Sequence, residues 1–191
     1  SGAANTLELN VKETDSVGKA FTIEDQHKMA YIGTCIHNIY AVYDDKKSHD
    51  QNVQIAEDML KANYLSGIAS HAEDIINAIE QLYSYLKEHY GEYQEIYHEL
   101  PILYKNDNGQ IVNGEIDLVW KTANSCVVVD YKNKEHVNAS NPGNKYLDQL
   151  GFYKEALTKN GEIVNDMLLF YPLQGEISIL ESIEKEDKRT C

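Results

Sequence analysis

The spacing of apolar positions divides the chain into a helical first half and a mixed second half. Over residues 24–43, Met29, Ile32, Ile36, Ile39, Tyr40 and Tyr43 recur at three- and four-residue intervals, the pattern of one buried helix face. Thr22 or Asp25 is placed to cap its start. A second helix is predicted over about 50–64 from Val53, Ile55, Met59 and Leu60. A third is predicted over about 68–90 from Ile68, Ile75, Ile76, Ile79, Leu82, Tyr83 and Leu86, with Gly91 as its stop.

Beyond Gly91 the period changes. Residues 94–104 read as a strand, Asn106-Asp-Asn-Gly109 as a tight turn, and residues 111–121 as the returning strand of a hairpin. Residues 125–131 form a continuous apolar, β-branched run, which predicts a central strand covered on both faces. A polar loop over 133–144 turns at Asn141-Pro-Gly143, and Leu147, Leu150, Tyr153 and Leu157 restore helical spacing over 145–158. Two apolar runs, 166–173 and 176–181, flank Gln174-Gly175 and read as closing strands. The order is helices, then β-β-β-α-β-β, an α/β (α+β) domain with an N-terminal helical cap. One domain is expected over 21–183, with its cap at 21–92 and its sheet core at 93–183. Residues 1–20 are expected to be a disordered or extended lead-in, and 184–191 a tail.

Composition narrows the function classes. At 42% hydrophobic over 191 residues, the chain has enough apolar side chains for one sizeable core. No apolar run approaches the roughly 20 residues of a membrane span. The opening Ser1-Gly-Ala-Ala-Asn5 has neither the basic start nor the apolar stretch of a signal peptide, so a cytoplasmic protein is expected. Cys35, Cys126 and Cys191 lie far apart with no Cys-x-x-Cys pair, which argues against a zinc ribbon, an iron–sulfur cluster or a disulfide framework.

The net charge of −14 opposes nucleic-acid binding, because such binding gains affinity by neutralising phosphates. The acids are uneven, however: residues 1–100 carry −10 and residues 101–191 carry −4. Within 121–159 six lysines outnumber four acids. Any grip on a polyanion is therefore expected to be local, and to depend on a partner. The only arginine is Arg189, which makes guanine readout by a bidentate Arg, and with it sequence-specific recognition, an unpromising reading.

The candidate chemistry lies in Gly114-Glu-Ile-Asp117 and Val127-Val-Val-Asp130-Tyr-Lys132. Asp130 and Lys132 are two apart on a strand and face the same way. A carboxylate after three valines is costly to desolvate unless something pairs with it. An isolated Asp-x-Lys also serves as a strand-end ion pair. A second acid, Asp117, on the preceding strand makes a divalent cation held by Asp117, Asp130 and water an equal alternative. Such a cation activates water and stabilises charge on a phosphate, and Lys132 is placed to orient that water or neutralise phosphoryl oxygens.

These residues resemble the PD-(D/E)XK nuclease superfamily, and within it the C-terminal nuclease domain of RecB- and AddA-type helicase–nucleases. Gly33-Thr-Cys-Ile-His37 is similar to the family's Gly-x-x-x-His motif, which implies His37 as a metal ligand reaching in from the cap. Gln149-Leu-Gly-Phe-Tyr153 resembles its Gln-x-x-x-Tyr motif, which implies that Gln149 and Tyr153 position nucleic acid. Glu99 in Glu99-Leu-Pro-Ile resembles an accompanying acidic position and is a secondary candidate. Tyr131 is expected to point its ring into the core while its backbone carbonyl completes the metal shell. His27, His49, His71, His89, His98 and His136 form no ligand-spaced set and are expected to be non-ligands.

The resemblance implies a restriction-endonuclease-like central mixed sheet flanked by helices. It also implies Mg²⁺ or Mn²⁺ rather than an iron–sulfur cluster, and an exo- or endonuclease for DNA repair and recombination. The expected partners are DNA, single strands above all, and helicase motor domains in the same or another chain, with no membrane. The competing reading is a catalytically silent module that keeps the fold for DNA clamping or protein interaction. The acidic surface favours that module, and the intact carboxylates and lysine oppose it.

Overall fold

A computed structural model describes residues 8–105, 108–133 and 138–183. In chain order the elements are β1 (Glu8–Ser16), α1 (Met29–Val42), α2 (His49–Ala62), a 3-10 turn (Ser66–His71) and α3 (Ala72–Tyr90), followed by β2 (Glu95–Lys105), β3 (Ile111–Lys121), β4 (Cys126–Tyr131), α4 (Asn144–Lys159), β5 (Val164–Tyr171) and β6 (Glu176–Ile183). The strands make one six-stranded sheet in the order β1-β6-β5-β4-β3-β2. Only β4 and β5 are parallel, and α4 is the crossover between them; every other neighbouring pair is antiparallel. This is the mixed α/β sheet flanked by helices that the sequence implied.

All six residues of β4 are buried, as its unbroken apolar run requires. Val127, Val129 and Tyr131 face α1–α3 in one core, and Cys126 and Val128 face α4 in the other. Asp130 shares the parity of Val128 and so belongs to the α4 side. Trp120 anchors the cap-side core: it is fully buried, its Nε1 donates to the carbonyl of Gly91 at 2.9 Å, and Tyr83 and Tyr93 meet it edge-on.

Three boundaries differ from expectation. The described part of the lead-in is extended, and over Glu8–Ser16 it is the edge strand β1, paired antiparallel to β6. From there the chain crosses the β5–β6 turn, where Val17 N–H donates to Gly175 O at 2.8 Å and Phe21 N–H to Leu173 O at 2.8 Å. The first helix starts at Met29 rather than near residue 24, because the Asp25 carboxylate accepts from the backbone and ring of His27 and caps no helix. A 3-10 turn precedes α3, which begins at Ala72 rather than residue 68. Of the predicted hairpin turn, Asn106 and Asp107 lie outside the described residues, as does the tail from 184.

The hairpin β2–β3 carries a pivot. Its register is the same on both sides of Glu99, which has φ +49° and is left out of the ladder between His98↔Leu118 and Leu100↔Ile116, at the level of Asp117. Before the pivot, Ile96, Leu118 and Trp120 pack with the cap; beyond it, Leu100, Ile102 and Ile116 pack with α4. Residues of one parity should stay on one face of a strand. The left-handed residue reverses the face, so the outer half of the hairpin leans over α4.

Two stability effects follow. Gly175 has φ +65°, and an added Cβ would fall 2.3 Å from the carbonyl oxygen of Gly18. Gly175→Ala is expected to cost about 2 kcal/mol in urea denaturation, through both the positive φ and the crushed strap. His49 at the start of α2 hydrogen-bonds Glu80 (2.7 Å) and Glu73 (2.6 Å) of α3, which pushes its pKa up to about 8. A raised histidine pKa stabilises the fold fully below the unfolded value and loses that contribution as pH rises through the folded one. Between about pH 6.5 and 8, wild-type Tm should therefore fall more than that of His49→Gln.

Candidate active site

The ladder between β3 and β4 runs from Lys121↔Cys126 to Leu118↔Val129 and stops. The next opposed residues are Asp117 and Asp130. Here the strands part, and Asp117 Oδ2 accepts the Tyr131 backbone N–H at 2.7 Å in place of a strand carbonyl. Asp130 is 5% exposed, and Lys132 Nζ lies 2.8 Å from its Oδ2. The ammonium also sits 3.8 Å over the ring of Tyr146 on α4. The fork opens into a cleft of about 340 Å³ walled by α1 on one side and α4 on the other.

Each wall is admitted by a glycine. On α1, a Cβ at Gly33 would stand 3.1 Å from Cβ of Asn133, a contact tight enough that glycine eases the seating of the helix against the end of β4. That seating brings His37, one turn on, to the cleft: its Nε2 lies 3.2 Å from Asp117 Oδ2 and its Nδ1 lies 3.1 Å from Gly33 O. On β3, a Cβ at Gly114 would stand 2.7 Å from the ring of Tyr153. The ring packs there, and its hydroxyl accepts from Gln149 Nε2 at 2.8 Å. Both Gln149 and Tyr153 line the cleft with the acids.

The remaining expectations divide. The Tyr131 ring is in the cap-side core, edge-on to His37, Tyr40 and Phe170, with its hydroxyl buried and unpartnered. Glu99 does not line the cleft; it is exposed, and partial desolvation with the nearby carboxylates of Glu115, which does line it, and Asp117 raises its pKa. His27, His49, His71, His89 and His98 stand outside the lining, and His136 falls outside the described residues. Sequence reasoning passed over Asn133 and Tyr146. Tyr146, Gln149 and Tyr153 follow i, i+3, i+7 spacing along one face of α4, a signal that was readable. Asn133 directly follows the Asp-x-Lys and carried no separate signal.

Electrostatics bind the residues into one unit. Burial and the neighbouring Asp117 carboxylate push Asp130 up to about 7, against the opposing pull of Lys132. Burial works the same way on Asp117, but hydrogen bonds from His37, Asp130 and the Tyr131 N–H outweigh it and hold Asp117 below the usual carboxylate range. Burial disfavours the charged form of His37, yet Asp117 outweighs it and raises its pKa. Asp117 is thus the first of the pair to ionise, and Asp130 holds its proton to higher pH. Among the described residues no group of three or more His, Cys, Asp or Glu side chains converges in ligand geometry. The positive charge beside the acids comes instead from Lys132, and from His37 when its ring is protonated. Two facing carboxyls and an imidazole line one cleft, a donor set whose chemistry suits a hard divalent cation.

A family model described as the PD-(D/E)XK nuclease superfamily matches residues 9–188. An ATP-dependent helicase/nuclease subunit from Clostridium acetobutylicum is 41% identical over 66 residues, which is 33% of this chain and 5% of that protein. The chain therefore spans only a small fraction of that relative's length. No helix among the described residues is long and apolar enough to cross a membrane.

The raised Asp130 fixes a sign. A carboxyl with a raised folded pKa loses stability as pH climbs from the ordinary carboxylate range to the folded value, and a cation must displace its proton below that value. Scanning calorimetry should therefore find that Mn²⁺ raises Tm more at about pH 8 than at about pH 6. Equal shifts would show that Asp130 does not carry the proton.

Proposed function

Because this chain belongs to the PD-(D/E)XK nuclease superfamily, we propose that it is a Mg²⁺- or Mn²⁺-dependent DNA phosphodiesterase, acting in the cytoplasm on single strands in DNA repair and recombination. The observation that carries this reading is the fork between β3 and β4, where Asp117, Asp130 and Lys132 meet His37 in one cleft. Asp117, Asp130, His37 and the Tyr131 backbone carbonyl would hold the cation. When bound, it supplies Lewis-acid stabilisation of the phosphate and a more acidic water.

The protein's own residues do the rest. Lys132 is held by Asp130 and the Tyr146 ring at the cleft wall, a fixed cation for the non-bridging phosphoryl oxygens and an anchor for the attacking water. Gln149 and Tyr153, locked to each other and to Gly114, form a rigid edge against which a strand is positioned.

A cleft of about 340 Å³ is at the small end of the range for ligand sites, which favours one extended strand over a duplex. With a net charge of −14, long-range attraction to DNA is poor, so the strand must be delivered. A helicase motor in the same or another chain is the natural supplier, and the clostridial relative, named for both helicase and nuclease, supports that arrangement.

An assay on single- and double-stranded DNA with Mg²⁺ or Mn²⁺ tests the reading. Wild type is expected to cut single strands, and Asp130→Ala and Lys132→Ala to lose about 100-fold or more in rate. Variants that cut as fast as wild type, or a wild type inert with both metals on both substrates, would overturn it.

A further inference from the structure

Asn133 is 6% exposed, lines the cleft, and has two features that no role above explains. Its Nδ2 lies 3.1 Å from His37 Nδ1, and its Oδ1 is buried without a hydrogen-bond partner. The same Nδ1 lies 3.1 Å from the carbonyl of Gly33. These contacts make opposite demands. A carbonyl only accepts, so Gly33 requires a proton on Nδ1; an amide NH₂ only donates, so Asn133 Nδ2 requires a lone pair there.

The two ends of a carboxamide have nearly the same shape, so hydrogen bonding decides which way round it sits. Turning the Asn133 amide by half a rotation puts Oδ1 against Nδ1–H beside the Gly33 carbonyl. Oδ1 then gains a donor and the two demands on Nδ1 agree, while Nδ2 takes the buried position that Oδ1 leaves. With the proton settled on Nδ1, the Nε2 lone pair points at Asp117 Oδ2, 3.2 Å away. Two acceptors at that distance require a positive centre between them, either a proton or a metal ion.

From this we infer that Asn133 is a positioning residue for His37: its Oδ1, with the Gly33 carbonyl, holds the imidazole proton on Nδ1 and so reserves Nε2 for the divalent cation. The inference rests on the reading of His37 as a ligand, and assigns the selection of its tautomer to a side chain outside the ligand set. The backbone reinforces it. Gly33 approaches Asn133 so closely, 3.1 Å from its Cβ to an added methyl, that the carbonyl and the amide flank the same ring nitrogen. Groups that orient a ligating histidine generally contribute about 10- to 100-fold to metal affinity.

The test uses the whole chain and two readouts. Imidazole ¹⁵N spectra of the metal-free protein, with His37 assigned through His37→Gln, report which ring nitrogen carries the proton. Calorimetric titration with Mn²⁺ reports affinity. Wild type is expected to show a protonated Nδ1 at His37. Asn133→Leu should lose that pattern and bind Mn²⁺ about tenfold or more weakly. Asn133→Asp keeps an acceptor at the same place and should retain both the pattern and an affinity within a few-fold of wild type. A wild-type His37 protonated only on Nε2, a folded Asn133→Leu with an unchanged spectrum and affinity, or an Asn133→Asp protein that behaves like the Leu variant would each overturn the inference. Should Asn133→Leu not fold, Asn133→Asp and the wild-type spectrum still decide it. An unchanged Mn²⁺ affinity in His37→Gln would instead overturn the ligand reading, while the metal-free spectra continue to judge Asn133.

Discussion

Two carboxyl groups face each other where β3 and β4 part, and most of the molecule is arranged around the cost of keeping them there. A sheet would normally continue its ladder past Leu118 and Val129; here the Tyr131 N–H turns to the Asp117 side chain instead of a carbonyl. That substitution ends the pairing and buries Asp130 beneath the valines that precede it. A buried carboxyl beside another carboxylate must stay protonated or acquire positive charge. Lys132 supplies charge from just past the end of the same strand, and a protonated His37 supplies it from a different layer. The site is thus an electrostatic debt of the sheet, discharged by the helices on its two faces.

The glycines show how a local backbone requirement becomes a functional one. Gly33 and Gly114 are not at turns and have no need of positive φ. Each removes a side chain so that a neighbour can approach: Asn133 and the end of β4 in one case, the ring of Tyr153 in the other. Both therefore belong to the chemistry although neither carries a functional group. Gly33 stands one helical turn from His37 in α1, and Gly114 three residues before Asp117 in β3.

Legibility in the sequence followed burial. The β4 strand was plain because both of its faces are covered, which leaves an apolar run with no other explanation; α3 was plain because one face packs and the other does not. The edge strand β1 was missed as part of the sheet because its pattern is almost wholly exposed: only Leu9 is buried, and a bulge between Val11 and Glu13 breaks its alternation. The start of α1 was misplaced because Asp25 has a closer partner in His27 than any helix terminus. In the site, Asp130 and Lys132 were readable because two residues on one strand must share a face. The meeting of His37 with Asp117 is long-range, and only the motif resemblance anticipated it. Asn133 was invisible since an asparagine after a strand is ordinary, and its meaning depends on a ring that arrives from residue 37.

The reversal at Glu99 separates the hairpin into two mechanical parts. Its inner half, with Trp120 and Leu118, is built into the cap; its outer half rides on α4. Asp117 is the last residue on the inner side of that boundary. The carboxylate is thus tied to the half of the hairpin that the cap holds, and the half that leans over α4 begins beside it.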